Sequence, residues 1–84
     1  MHLVIPYQMF DSQQKIIMYK NGECVSTDYV ATTNLAAALY SLCTDNPSID
    51  QVDIIGNQNY LEKIKKQVQT KFKESSIKIN IVNR

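Results

Sequence analysis

Tryptophan is absent from this sequence, and glycine, proline and cysteine each occur only twice among its 84 residues. So little glycine and proline, beside a hydrophobic content of 44%, excludes a low-complexity or disordered chain. No apolar run approaches the roughly 18 to 20 residues that a membrane-spanning helix needs. The length also excludes a two-domain enzyme, because it suffices for one small hydrophobic core. We therefore expect a single domain over residues 1–84.

The start of the sequence lacks the basic region and the small-residue cleavage site of a secretory signal peptide. We therefore expect a cytoplasmic protein with no contact to membranes. In that compartment Cys24 and Cys43 are expected to be free thiols, since disulfides are rare there. The abundant isoleucine, asparagine and lysine are typical of AT-rich coding and favour an origin in a phage or mobile element.

Few residues in the sequence could perform catalysis. His2 is the sole histidine and lies beside the N-terminus, where position is poorly fixed. Cys43 falls among apolar residues with no basic neighbour to activate its thiol. Metal-ligand spacings such as Cys-x-x-Cys and glycine-rich phosphate loops are also absent. We therefore predict a non-enzymatic protein with no catalytic residue, no metal site and no cofactor.

The clearest element is a β-hairpin whose strands are separated by Asn21 and Gly22. This pair tolerates the positive φ angles of a type I′ turn. A two-residue loop places Lys20 opposite Glu23, a favourable pair of opposite charges. The same register continued along both strands predicts these further pairs: Met18 with Val25, and Ile16 with Thr27.

This register assigns the hairpin side chains to two faces. The face expected to meet the core holds Ile16, Met18, Val25 and Tyr29. The reverse face holds Ile17, Tyr19, Cys24, Ser26 and Asp28. Because the reverse face mixes apolar and polar residues, we expect it to be partly hydrated or covered by a partner.

The other elements follow from hydrophobic periodicity. Residues 2–5 predict a short first strand, since Pro6 cannot donate to a sheet ladder. Thr32, Thr33 and Asn34 offer starting side chains for a first helix that ends near Asp45. Its apolar stripe consists of Leu35, Ala36, Leu39, Leu42 and Cys43.

The second half predicts a strand, a helix and a strand. Residues 52–55 are nearly all apolar, which is typical of a strand covered on both faces. Asn59 and Glu62 resemble a capping box at the start of the second helix. The buried stripe of that helix consists of Leu61, Ile64, Val68 and Phe72. Residues 77–82 alternate as a final strand, so the segment fits a parallel crossover.

The assembled order is ββ(β)αβαβ, an α+β arrangement with a mixed sheet. It matches the connectivity of a pared-down ribonuclease H-like sheet, and the alternative is a ferredoxin-like order. A two-metal nuclease of the first type needs several converging carboxylates, beginning with one in the first strand. That strand has none, and Asp28 and Asp53 are isolated. We expect Asp53 at a strand end or sheet edge, where its carboxylate reaches water or a backbone donor.

Charge is divided unevenly along the chain. Residues 1–59 carry two lysines against six acidic residues, a net charge of −4, whereas residues 60–84 carry seven basic against two acidic residues, a net charge of +5. The basic surface is predicted on the second helix, at Lys63, Lys66 and Lys73, with Lys65 nearby. The turn at Gly56, Asn57, Gln58 and Asn59 lies where a helix N-terminus favours an anion, so these residues form a candidate ligand site.

These patterns favour a small interaction or regulatory protein that binds a macromolecular partner, most simply another protein. A domain this small gains buried area by self-association, so a homodimer or larger homo-oligomer is expected. Ile17, Tyr19 and Cys24 are the candidate interface residues. The alternative is a nucleotide or nucleic-acid binder that uses the Gly56 to Asn59 turn and the lysines of the second helix.

Overall fold

The computed structural model describes residues 1–8 and 10–83, so Arg84, which was counted in the basic half, lies outside the described residues. The chain forms a small α+β domain of five strands and two helices. The strands are β1 (His2–Pro6), β2 (Gln13–Lys20), β3 (Glu23–Ala31), β4 (Gln51–Gly56) and β5 (Lys78–Asn83), and the helices are α1 (Leu35–Asp45) and α2 (Gln58–Lys71). A 3-10 turn, Thr32–Asn34, precedes α1.

All five strands belong to one mixed sheet with the order β3-β2-β1-β4-β5. β2 is antiparallel to both β1 and β3, whereas β4 is parallel to both β1 and β5. The parallel pairing of β4 and β5 through α2 was predicted. The first strand of the chain is therefore the central strand of the sheet, and β3 and β5 are its edges.

The hairpin turn is formed as predicted, but the register beyond it is not. Asn21 has a φ of 54° and Gly22 a φ of 82°, as a type I′ turn requires, and Lys20 pairs with Glu23. A β-bulge then leaves Val25 without a partner in β2. In consequence the predicted pairs of Met18 with Val25 and of Ile16 with Thr27 are wrong, and these pairs form instead: Tyr19 with Cys24, Met18 with Ser26, Ile16 with Asp28 and Ile17 with Thr27.

The extra residue in β3 also changes which side chains share a face. Paired residues of an antiparallel ladder lie on the same side of the sheet, so Ser26 and Asp28 share the side of Met18 and Ile16. Their predicted assignment to the reverse face is wrong. Val25 and Tyr29, which were expected in the core, are 51% and 62% exposed.

The hydrophobic core lies between one side of the sheet and both helices. The predicted helical stripes are buried except for Leu42, which is half-buried. The central strands contribute alternate residues to this core: Leu3 and Ile5 from β1, and Val52 and Ile54 from β4. Asp53 and Ile55 are not buried, so the prediction that this strand is covered on both faces is wrong. Both helices pack on the same side of the sheet, and in the described residues no helix covers the other side.

One buried polar residue organises the chain between β1 and β2. The side chain of Gln14 is 1% exposed. Its Oε1 accepts a hydrogen bond of 2.8 Å from the backbone N–H of Gln8, and its Nε2 donates to the carbonyl of Gln8 at 2.6 Å and to Oγ1 of Thr32 at 2.9 Å. Gln14 therefore ties the end of the first strand to the start of the helical segment.

Neither of the two helices in the described ranges is long and apolar enough to cross a membrane.

Candidate interaction face

The side of the sheet opposite the helices, which we call the open face, is the candidate functional surface. Its residues alternate with core residues along the strands, and none of them is buried. By strand, they are His2, Val4 and Pro6 in β1; Gln13, Lys15, Ile17 and Tyr19 in β2; Cys24, Thr27, Tyr29 and Ala31 in β3; Gln51, Asp53 and Ile55 in β4; and Lys78, Asn80 and Val82 in β5.

The polar centre of the open face is formed by Asp53 and two amide side chains. Nδ2 of Asn80 donates to Oδ1 of Asp53 at 2.8 Å, and Nε2 of Gln51 donates to the same oxygen at 3.0 Å. Asp53 lies in the middle of β4, an inner strand, so the expectation of a strand-end or edge position is wrong. The amides supply the donors that were expected from water or from the backbone. The half-buried carboxylate therefore has hydrogen-bond donors from its own chain.

An aromatic and apolar cluster adjoins this polar centre. The rings of His2 and Tyr19 stack with their centroids 5.4 Å apart and an interplanar angle of 16°. Cys24 pairs with Tyr19 across the hairpin, and Ile17 lies on the same face two residues along β2. The structure thus brings the three candidate interface residues together. Ile17 and Tyr19 are half-buried and Cys24 is exposed.

The Gly56 to Asn59 turn has a different local structure from the one predicted. Asn57, not Asn59, is the N-cap of α2, and its side chain accepts a 2.9 Å hydrogen bond from the backbone N–H of Asn59. The predicted capping box of Asn59 and Glu62 is therefore wrong, because the helix begins before Asn59, at Gln58. Asparagine at position 57 satisfies a donor that the helix itself leaves free.

The other donors at this helix start are also occupied. The backbone N–H of Gln58 donates to Oδ1 of Asn83 at 2.9 Å, and those of Tyr60 and Leu61 donate to the carbonyl of Asn57 at 3.0 and 3.2 Å. An anion would have to displace these bonds. The geometry therefore adds no support to the prediction of a ligand site at this turn.

Close packing accounts for the glycine at position 56. A Cβ added to Gly56 would lie 3.2 Å from the carbonyl oxygen of Tyr7 and 3.3 Å from Cδ2 of Leu61. Both distances are tighter than ordinary van der Waals contact. A side chain at position 56 would crowd the point where β4 and α2 pack against the end of the first strand, which is a structural reason for glycine there whether or not a ligand binds.

The predicted basic residues lie away from the open face. Lys63, Lys66 and Lys73 are exposed on α2 and directly after it, whereas the buried side of α2 packs on the core. These basic residues and the open face therefore lie on opposite sides of the sheet. One flat ligand cannot cover both.

The two thiols have different surroundings. Cys24 and Cys43 are both free, the first exposed and the second buried. Burial raises the pKa of the Cys43 thiol above its ordinary value, which keeps it protonated and poorly nucleophilic. Among residues 1–8 and 10–83, no three His, Cys, Asp or Glu side chains are grouped so that they could hold a metal ion.

Sequence reasoning missed part of this face. Gln51, Asn80 and His2 were not predicted as members, because their roles depend on pairing between strands far apart in the chain. The polar residue Asp53 between Val52 and Ile54 was the available signal for an uncovered side of β4.

No family model, curated protein or solved structure matches this chain.

Proposed function

We propose that this protein is a non-enzymatic interaction protein that binds a protein partner through the open face. The observation that supports this proposal is the missing cover on one side of the sheet. All-parallel sheets are almost always covered on both faces, whereas antiparallel sheets often leave one face in water. Here the parallel strands β1, β4 and β5 carry helices on one side only. A partner that lies on the open face would complete the usual arrangement.

The composition of the open face is typical of a surface that binds another protein. Val4, Ile17 and Ile55 are half-buried apolar side chains, and Tyr19 adds an aromatic ring of the kind enriched in interface hot spots. The polar centre at Asp53 has donors from its own chain, which lowers the desolvation cost of covering it. Five strands of five to nine residues give a face roughly 20 Å across the strands and at least about 17 Å along them, the scale of the central part of a standard interface.

A pair of tyrosine variants tests this surface. We expect Tyr19→Asp to lose partners that the unchanged protein retains in affinity capture from the source cells, because a carboxylate would enter the apolar part of the contact. Tyr60→Asp is the matched control, since Tyr60 is 40% exposed in the first turn of α2 on the other side of the sheet. Circular dichroism of both variants is the control that tests whether they are folded. Equal capture by both folded variants would contradict the proposal.

We also propose that the sheet has the ribonuclease H-like topology. An antiparallel β1-β2-β3 meander joined through β1 to parallel β4 and β5 supports this topology over the ferredoxin-like alternative. The residues argue against the matching nuclease chemistry. β1 reads His-Leu-Val-Ile-Pro and contains no carboxylate, and Asp53 is held by two amides. The fold would then serve as a binding scaffold.

Nucleotide or nucleic-acid binding is the alternative function. The exposed Lys63, Lys66 and Lys73 support contact with phosphates. The turn at Gly56 to Asn59 is a weaker candidate for contact with phosphates, because its backbone donors already have acceptors within the chain. The stacked His2 and Tyr19 lie on the far side of the sheet from these three lysines, so bases stacked there and phosphates bound to the helix would share no groove.

Incubation with nucleic acid separates these functions. With single- and double-stranded oligonucleotides and Mg²⁺ or Mn²⁺, we expect neither cleavage nor binding that weakens steeply with salt. Cleavage that disappears in Asp53→Asn would show the protein to be a nuclease. Salt-dependent binding that disappears in Lys63→Glu together with Lys66→Glu would favour the alternative.

A further inference from the structure

We infer that the groove between the two helices binds an extended acidic segment of a partner protein. This groove lies on the helical side of the sheet, away from the open face, so the inference does not rest on the proposed function. Three cavities, with volumes of about 310, 640 and 580 Å³, lie between α2 and α1 with the 3-10 turn before it. The first and second share Thr33 and Gln67 in their linings, and the second and third share Thr70 and Lys71. Together they form one continuous groove, which we call the helix groove.

The two walls of the helix groove differ in charge. The wall formed by α2 and the residues after it carries four exposed lysines, which we call the lysine wall: Lys63, Lys66, Lys71 and Lys73. Among residues 1–8 and 10–83, none of these lysines forms an ion pair. The lining residues of segment 32–44 carry no charge, and the acidic lining residue Glu74 lies at the end of the groove, beside Lys73. The resulting positive potential along one wall complements an acidic partner.

The spacing of the lysines is compatible with an extended chain. Lys66 and Lys71 both line the middle cavity. They are about 7.5 Å apart along the axis of α2, because each helical residue advances about 1.5 Å. In an extended chain, alternate side chains point to the same side and are about 6.6 Å apart. Acidic residues at every second position would therefore reach both lysines, and the side chains between them would face the uncharged wall.

The other residues of the middle cavity suit the backbone of such a chain. Asn34 and Gln67 are exposed and line this cavity from opposite walls. Side-chain amides both donate and accept hydrogen bonds, so they can pair with the N–H and carbonyl groups of a peptide. Ala36 and Ala37 line the same cavity, and their small side chains leave room for a chain to lie close to the helices.

The helix groove favours a peptide over a nucleic acid. Packed helices are separated by about 8 to 10 Å, so the groove between them accommodates a single chain and not a duplex. Single-stranded nucleic acids gain affinity from bases stacked on aromatic rings. Tyr40, an exposed ring beside the lysine wall, has Nζ of Lys71 5.7 Å from its centroid and the ring of Phe72 packed edge-on at 5.5 Å. Bases would compete with these contacts, whereas carboxylates can bind the lysines directly.

Fluorescence anisotropy with a short labelled peptide tests the helix groove. The peptide alternates glutamate with serine, and we expect it to bind the unchanged protein at low salt and to dissociate as the salt concentration rises. A peptide with glutamine in place of every glutamate should not bind, because it lacks the carboxylates. Oligothymidylate of the same length is the comparison for nucleic acid, and it should bind more weakly than the glutamate peptide.

Three variants that change the net charge by the same amount test where the peptide binds. Ala37→Glu places a carboxylate inside the helix groove, opposite the lysine wall, and should weaken binding about tenfold or more. Lys66→Gln removes one lysine and should weaken binding about two- to fivefold. Gln69→Glu is the matched control, on the exposed side of α2 outside the groove, and should bind like the unchanged protein. Far-ultraviolet circular dichroism checks the folding of each variant.

The inference is overturned when the glutamate peptide does not bind the unchanged protein, or when a folded Ala37→Glu binds it as tightly. Equal losses in Ala37→Glu and Gln69→Glu would also overturn it, because net charge rather than the groove would then decide the affinity. Should Ala37→Glu not fold, equal affinities of Lys66→Gln and Gln69→Glu would be the contradicting result. Oligothymidylate that binds more tightly than the peptide would assign the helix groove to nucleic acid instead.

Discussion

Replacing Gln14 with leucine is expected to lower the free energy of unfolding by about 2 to 4 kcal/mol, measured by urea denaturation. Leucine has a similar volume, but it cannot bond to the N–H and carbonyl of Gln8 or to the hydroxyl of Thr32. Each buried polar group left without a partner costs about 1 to 3 kcal/mol. A domain of this length has a total stability of roughly 4 to 13 kcal/mol, so this loss would be a large fraction of the total.

The neighbouring glutamine provides the control for this effect. Gln13 is exposed on the other side of β2, so Gln13→Leu should change the free energy of unfolding by about 0.5 kcal/mol or less. Equal effects of the two substitutions would mean that Gln14 does not organise the chain between β1 and β2.

Truncation of the buried stripe of α2 is the second large effect. We expect Ile64→Ala and Val68→Ala each to lower the free energy of unfolding by about 2 to 4 kcal/mol, through lost burial and the cavity that remains. Ile64 is 2% and Val68 0% exposed, and both belong to the core cluster. Lys66→Ala, on the exposed side of the same helix, should cost little. A loss for Lys66→Ala as large as that for Val68→Ala would contradict the packing of α2.

Local patterns predicted the elements of this fold well. The periodic stripes at Leu35, Leu39, Leu61 and Val68 place both helices, and the alternation of residues 77–82 places the final strand to within one residue. The Asn21–Gly22 turn was predictable because few residue pairs accept positive φ at both positions. These features depend on residues that are close in sequence.

The wrong predictions concern features that local sequence patterns do not determine. No residue type in β3 indicates the bulge, which inserts one extra residue. Because of it, Ser26 and Asp28 lie on the side of the sheet opposite the predicted one. The apolar run at residues 52–55 could not show that both helices pack on the same side of the sheet. The start of α2 was mispredicted because Asn57 and Asn59 are both good N-cap residues, and the helix uses the earlier one.

The candidate site also has a part that was predictable from local sequence and a part that was not. Ile17, Tyr19 and Cys24 could be grouped from the hairpin alone, because residues 19 and 24 are close to the turn and precede the register change. The pairing of Asp53 with Asn80 joins β4 to β5, and the stacking of His2 on Tyr19 joins β1 to β2. These contacts require the strand order of the complete sheet, which no local pattern contains.

The central position of β1 has a consequence for synthesis on the ribosome. β1 pairs with β2 soon after both emerge, but its other edge pairs with β4, which ends at Gly56. At usual elongation rates, the segment from Ala31 to Gly56 takes roughly one to five seconds to synthesise. During that interval the nascent meander exposes an unpaired edge flanked by Leu3 and Ile5, both fully buried in the finished sheet. The middle of the sheet is therefore completed only after the meander has been made, and this unpaired edge is open to aggregation until β4 is added.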